Sequence, residues 1–251
     1  PAAALAIVIE VVTSEEFLTA AAVGFIAQSI DGALGMAYGI SATTFLLGTG
    51  ASPAVASASV HIAEIFTTGL SGLSHLRLGN VDRKLMLRLL VPGVIGGVLG
   101  ALVVTQLDGA ALKPWISGYL LLMGLYVLTK AWRHRRKPAQ EPKHVAKLAL
   151  FGGFVDAAGG GGWGPVVTTS LVGAGQDPRR TIGSVNFAEF FIAIASAGAF
   201  VLFIDAAPWA TVAGLVAGGM FAAPLAAFLC RALPARALLV LVGTLISALS
   251  A

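Results

Sequence analysis

The sequence predicts an all-α polytopic membrane protein of two inverted-topology repeats, about five segments each, with glycine-broken short or re-entrant helices opening each repeat. Three observations carry that prediction. Of 251 residues, 57% are hydrophobic and 11% charged, where an ordinary soluble domain carries roughly 25% charge. The second half repeats the first at a constant offset of about 125 residues. The bases gather in connections between apolar runs, whereas the acids that recur lie inside those runs.

The same composition excludes other classes. With a mean hydropathy of +0.88, the chain has too little polar surface for disorder. Cys230 is the only cysteine, so no disulfide framework exists. The apolar runs lack the period-two alternation of a membrane β-barrel. A net charge of +4 would suit nucleic acid, but the bases cluster in 77–88, in 133–147 and around Arg179, Arg180, Arg231 and Arg236. Short basic connections mark the cytoplasmic side of a membrane protein, and no nucleic-acid partner is expected. Residues 1–12 lack a basic leader region, and a chain opening on Pro1 is expected to be processed or trimmed.

The elements follow from the apolar runs. In the first half they are expected at 17–34, 36–47, 54–76, 85–104 and 115–132, and in the second at 148–158, 163–171, 181–203, 208–231 and 235–251. A membrane-spanning helix needs about 20 apolar residues, which the longer runs supply. GALGMAYG at 32–39 and GGGGWGP at 159–165 interrupt the opening pair of each half. The repeats are 1–132 and 148–251, joined by a basic cytoplasmic linker at 133–147.

The repeat aligns chemistry as well as hydropathy. Asp31 matches Asp156, Gly35 Gly160, Gly39 Gly164, Thr43 and Thr44 Thr168 and Thr169, Pro53 Pro178, and Glu64 Glu189. Tyr38 faces Trp163. Between 31 and 72 there are about 16 identities in roughly 42 positions. With the basic connections inside, Pro53 falls outside while Pro178, beside Arg179 and Arg180, falls inside; the second-half loop with Asp205 falls outside. The repeats are therefore inverted and both termini lie outside. Trp115 and Trp209 stand near outer ends and Trp132 near an inner end, as interfacial anchors.

Glu64 and Glu189 come first among candidate residues. Glu189 lies nine residues past Arg180, about 13.5 Å along a helix, and Glu64 eleven past Pro53, about 16 Å. Both depths approach the middle of a core roughly 30 Å thick, where a charge is costly. A structural, hydrogen-bonded carboxyl is the competing reading. Asp31 and Asp156 precede the glycine breaks, where capping of the next helix and proton relay both fit. These four acids are the candidates for proton coupling or gating.

His61 stands three residues before Glu64, on one helix face. That spacing could ligate a metal, but its repeat mate is Asn186, a poor ligand, and no metal is expected. His61 and Asn186 are read instead as hydrogen-bonding to substrate or backbone, and His75, near Arg77, as interfacial. Broken helices in lipid must line a cavity or pack on protein. The breaks therefore nominate Gly35, Tyr38, Gly39, Gly160, Trp163 and Gly164, with Thr43, Thr44, Thr168 and Thr169, as substrate-binding residues. No phosphate-binding G-x-x-x-x-G-K-[ST], no G-x-S-x-G and no H-E-x-x-H occurs, so neither a cofactor nor an enzyme activity is expected.

Glu64 with S-G-x-x-H-x-x-x-G-N-V-D (71–82), P-G-x-x-G-G-x-x-G (92–100), the 159–162 glycine tract, Trp163-Gly164-Pro165, and Pro178 ahead of Asn186 together resemble the sulfite exporter TauE/SafE family. The resemblance covers nearly the whole chain. It implies a bacterial inner-membrane transporter of sulfite, an organosulfonate or another small anion, working without ATP hydrolysis. Proton-coupled export is the expectation. Two alternatives stand beside it: a cation/proton antiporter using the paired glutamates, and a metal-dependent membrane enzyme or assembly partner. The expected partners are a small anion and membrane lipid, and a homodimer stays open.

Overall fold

Every element of this computed structural model is helical among the residues it describes, which are 9–132, 144–204, 207–229, 240 and 244. Outside the described residues lie 1–8, most of the basic linker, Asp205, Cys230, Arg231, Arg236, the Trp132 side chain and, apart from Val240 and Thr244, the final expected segment.

Caps set the helix limits. Helix α1 (Glu15–Leu34) starts at Ser14, whose hydroxyl accepts from Phe17 N–H at 3.2 Å, and ends on Gly35 with φ 67°. Glu15 and Glu16 in its first turn complement the helix dipole. Helix α2 (Tyr38–Gly48) follows after Ala37. Helix α3 (Pro53–Arg77) opens with Ser52 as cap and Pro53 in the first turn, where a missing N–H costs nothing. Asp82 caps α4 (Arg83–Gln106), accepting from Lys84 and Leu85 N–H at 2.9 and 3.1 Å.

Helix α5 (Gly109–Trp132) begins earlier than the expected 115, because Asp108 accepts from Ala110 N–H at 3.0 Å and Pro114 sits within the helix. Helix α6 (Val145–Gly159) ends at Gly160, φ 69°. The short second-half segment is a π-helical turn (Gly164–Thr168) running into α7 (Thr169–Gly173), with Pro165 where α2 has Ile40. Asp177 caps α8 (Pro178–Val201) through Arg180 N–H at 2.9 Å. The last is α9 (Trp209–Leu229).

The long helices pack as the succession α1–α9–α3–α8–α4–α6. Gly214 meets Phe17, Gly218 meets Ala21 and Gly32 meets Ala226, so α1 and α9 run parallel. Gly96 against Leu150 and Gly100 against Phe154 make α4 and α6 parallel too. Gly69 against Phe190, Gly72 against Phe187 and Gly183 against Asn80 make α3 and α8 antiparallel. At Gly96, Gly100, Gly153, Gly214 and Gly218 an added Cβ would land on a carbonyl oxygen of the neighbouring helix. Only glycine lets backbones approach so closely, and the contact dispersion and Cα–H···O bonds reward it.

Burial runs opposite to that of a soluble domain. Leu18, Val91, Leu122, Phe151, Phe221 and Phe228 are exposed, while thirteen of the positions along α3 and α8 that carry hydroxyl, imidazole, amide or carboxyl groups are buried, among them Ser57, His61, Glu64, Thr67, Ser71, Ser184, Asn186 and Glu189. Among the described residues, four helices are long and apolar enough to cross a membrane: α1, α4, α8 and Trp209–Phe228 of α9. Helix α3 misses that group because its inward face carries the polar residues that the other helices cover.

Two substitutions separate close packing from helix propensity. Gly218→Val drives a branched side chain into the Ala21 carbonyl and is expected to destabilise by roughly 1–3 kcal/mol. Gly198→Ala, where an added Cβ meets nothing within 4 Å, is expected to stabilise by up to about 1 kcal/mol. Thermal unfolding of the detergent-solubilised variants reads both signs.

Candidate functional site

The two glycine turns meet tip to tip, and their contacts are reciprocal. Thr43 Oγ1 on α2 donates to the Gly160 carbonyl; Thr168 Oγ1 donates to the Gly35 carbonyl at 2.7 Å. A Cβ on Gly39 would stand 2.9 Å from Gly161 Cα, and one on Gly164 would stand 2.8 Å from Met36 Cβ. Each of these contacts turns into the other when a residue is exchanged for its repeat mate. The positive φ of Gly35, Gly160 and Gly161 is the left-handed backbone that glycine adopts without steric cost. The turns present their carbonyls to each other because of it.

An aspartate stands before each turn, and the second turn is held by its own. Asp156 Oδ1 accepts from Gly162 N–H at 2.8 Å and from Trp163 N–H at 3.0 Å. Asp31, its repeat mate, is buried ahead of the first turn, close to the backbone of Tyr38, the mate of Trp163. In the second turn, two of the free amides that a broken helix would aim at an anion are thus taken by Asp156. Beside them, His61 Nδ1 stands 2.8 Å from the Ser57 carbonyl. A carbonyl only accepts, so Nδ1 carries the hydrogen. His61 Nε2 then faces Asp156 Oδ2 at 3.4 Å.

His61, Glu64 and Asp156 each offer one ligand atom within 4.8 Å of the others. Glu189 is within electrostatic reach of Asp31, Glu64 and Asp156. All four acids are buried. Both Glu64 oxygens, Asp31 Oδ2, Asp156 Oδ2, Glu189 Oε2 and His61 Nε2 have no hydrogen-bond partner.

Other nominated residues stand outside this group. Thr44 donates to Ile40 O at 2.7 Å, and Thr169 to Pro165 O, each within its own short helix. Tyr38 donates from its hydroxyl to Leu215 O at 3.2 Å, and Trp163 from its indole to Val185 O at 3.2 Å, so both aromatics spend their polar ends on neighbouring helices. Asn186 Oδ1 accepts from Ser71 at 3.0 Å. His75 is fully buried instead of interfacial. Asn80 Nδ2 lies 3.2 Å from its Nδ1, and its Nε2 meets the Gly32 carbonyl at 2.9 Å, tying the end of α3 to α1.

Four residues escaped sequence reasoning. Ser57 donates to Ala157 O at 2.6 Å and orients His61; its place one turn before His61 was the available signal. Gln28, buried with both amide atoms unpartnered, sits one turn before Asp31 and is an amide in an apolar run. Thr67 is buried with an unpartnered hydroxyl, one turn past Glu64. Tyr119 donates to Gly161 O at 2.9 Å, and nothing in its surrounding apolar run marks it.

The reciprocal threonines predict an asymmetry inside each Thr-Thr pair. Thr43→Val and Thr168→Val each leave a carbonyl at the turn contact unpaired and are expected to cost about 1 kcal/mol or more. Thr44→Val removes only an intrahelical bond and is expected to cost less. Thermal unfolding of the three variants checks the order.

Comparison with known proteins places this geometry. The family model described as "Sulfite exporter TauE/SafE" matches residues 20–251. The chain is 45% identical over 239 residues to "Probable membrane transporter protein YtnM" of Bacillus subtilis (strain 168), covering 91% of this chain and 79% of the relative. No solved structure matches the chain. With the family model running from α1 to the last residue, the chain belongs to the sulfite exporter TauE/SafE family and is a membrane transporter.

Proposed function

We propose that the protein is a secondary transporter exporting a small sulfur-containing anion, sulfite or an organosulfonate, across the bacterial inner membrane. In this reading 1–132 and 148–251 are inverted repeats, their glycine-turned hairpins re-enter the membrane, and the linker 133–147 is cytoplasmic. The observation that carries it is the reciprocal contact between the turns, Thr43 with Gly160 and Thr168 with Gly35. A site shared by two equivalent hairpins can open to either side by the same motion, which is the basis of alternating access.

Two further facts support the inversion. Helices α3 and α8 are repeat mates, yet Gly69–Phe190 and Gly72–Phe187 make them antiparallel. The α3 C-terminus with Arg77 then lies at the same end as the α8 N-terminus with Arg179 and Arg180. The start of α4, with Arg83, Lys84 and Arg88, follows directly. Glu16 bonds Thr211 at the opposite end, where α1 and α9 begin. The gathering of Arg77, Arg83, Lys84, Arg88, Arg179 and Arg180 at one end matches a cytoplasmic face, and in this reading both termini lie outside.

An anion beside four carboxylates is repelled unless most of them are neutral, and export driven by incoming protons supplies that neutrality. We assign the coupling step to Glu189, a buried carboxyl with one oxygen unpartnered. A cation/proton antiporter is the second reading. It is favoured by the convergence of the four acids where, among the described residues, no Lys or Arg is buried.

Sulfite efflux from proteoliposomes separates the two. An inward proton gradient is expected to accelerate efflux by the wild type, and Glu189→Gln is expected to abolish that acceleration. Proton movement that depends on an alkali cation and ignores sulfite would transfer the assignment to the antiporter.

A further inference from the structure

The His61 ring presents a contradiction that a bound cation resolves. Its Nδ1–H is committed to the Ser57 carbonyl at 2.8 Å, so a neutral ring aims the Nε2 lone pair at Asp156 Oδ2, 3.4 Å away. Glu64 brings two more unpartnered oxygens. With the ring neutral and the carboxyls ionised, every atom converging here is an acceptor, and one positive centre among them satisfies all of them at once.

We propose that His61 Nε2, Glu64 and Asp156 Oδ2 bind one divalent d-block cation such as zinc. One imidazole and two carboxylates suit such an ion and neutralise its charge. Ligand atoms about 2.0–2.1 Å from a tetrahedral zinc stand about 3.3 Å apart, close to the His61–Asp156 spacing. The supporting contacts are those of a metal site. The second ring nitrogen of His61 is fixed on a carbonyl, and the other oxygen of Asp156 is fixed by the Gly162 and Trp163 amides at 2.8 and 3.0 Å. Spacing along α3 alone gave a pair of donors; the third comes from the other half of the chain. Asn186 in place of histidine beside Glu189 leaves the mate position without a counterpart, so one ion per chain is expected.

Three protein ligands leave a coordination position open. On the anion-export reading, which this part rests on, that position receives the oxyanion, supplying positive charge where, among the described residues, no lysine or arginine is buried.

Zinc titration of the full-length, chelator-stripped protein in detergent tests the site. The expected result is one zinc per chain and a raised unfolding temperature. Affinity is expected to fall at least about tenfold in His61→Asn and Asp156→Asn, and to persist in Glu189→Gln. His61→Asn installs the residue that the second half already carries, and its unfolding transition without zinc reports whether it is folded. No zinc bound by the wild type, or equal binding by folded His61→Asn, overturns the site and leaves an imidazolium–carboxylate pair in its place.

Sulfite efflux from stripped and zinc-restored proteoliposomes tests the open position. Efflux lost on stripping and regained with zinc supports it; equal efflux in both overturns it while export stands. Zinc binding without efflux in either state overturns the export reading while the metal site stands.

Discussion

The contact between the two glycine turns is the constraint on which the rest of the site depends. Gly39 lies against Gly161 and Gly164 against Met36 so closely that a methyl group would force the hairpins apart. Close approach is what lets each threonine reach the opposite carbonyl. Beside it Asp156 holds the start of the second limb of its own hairpin through the Gly162 and Trp163 amides. A buried carbonyl that loses its donor costs about 1–3 kcal/mol. Parting the turns therefore exposes a cost on both sides at once, and whatever opens the path must replace those bonds.

That polar centre is tolerable only because of how the rest of the chain is distributed. The hydroxyls and carboxyls of α3 and α8 are enclosed by α1, α4, α6 and α9, whose outward faces carry leucine, valine and phenylalanine. Lipid offers no hydrogen bonds, so polar groups collect inside and apolar ones face out. Between the helices the hydrophobic effect contributes little. Glycine stripes on α4 and α9 replace it with backbone contact.

Much of this was legible beforehand, for physical reasons that differ by residue. The capping role of Asp156 is local chemistry, written within a few residues, whereas α8 starts at Pro178, ahead of the expected 181, because Asp177 caps it. The family was legible from Glu64, 71–82 and the 159–162 tract. Which threonine of each pair crosses to the other hairpin was not, because neighbours about 100° apart on a helix are distinguished only by what packs against them. The approach of Asp156 to His61 joins two halves of the chain, and no periodicity records it. His75 was misplaced because its neighbour Arg77 suggested the interface. Its partners Gly32 and Asn80 are visible only once α1 and α3 are packed.

The exchange of helices between the halves also governs how the protein is made. Helix α1 finds its closest partner in α9, and α4 finds its partner in α6. The amino-terminal half therefore leaves the ribosome with the faces of α1 and α4 that meet α9 and α6 still without those partners. The native contacts of α1 with α9 and of α4 with α6 can form only after the carboxy-terminal half has been synthesised, so the interior closes late in the making of the chain.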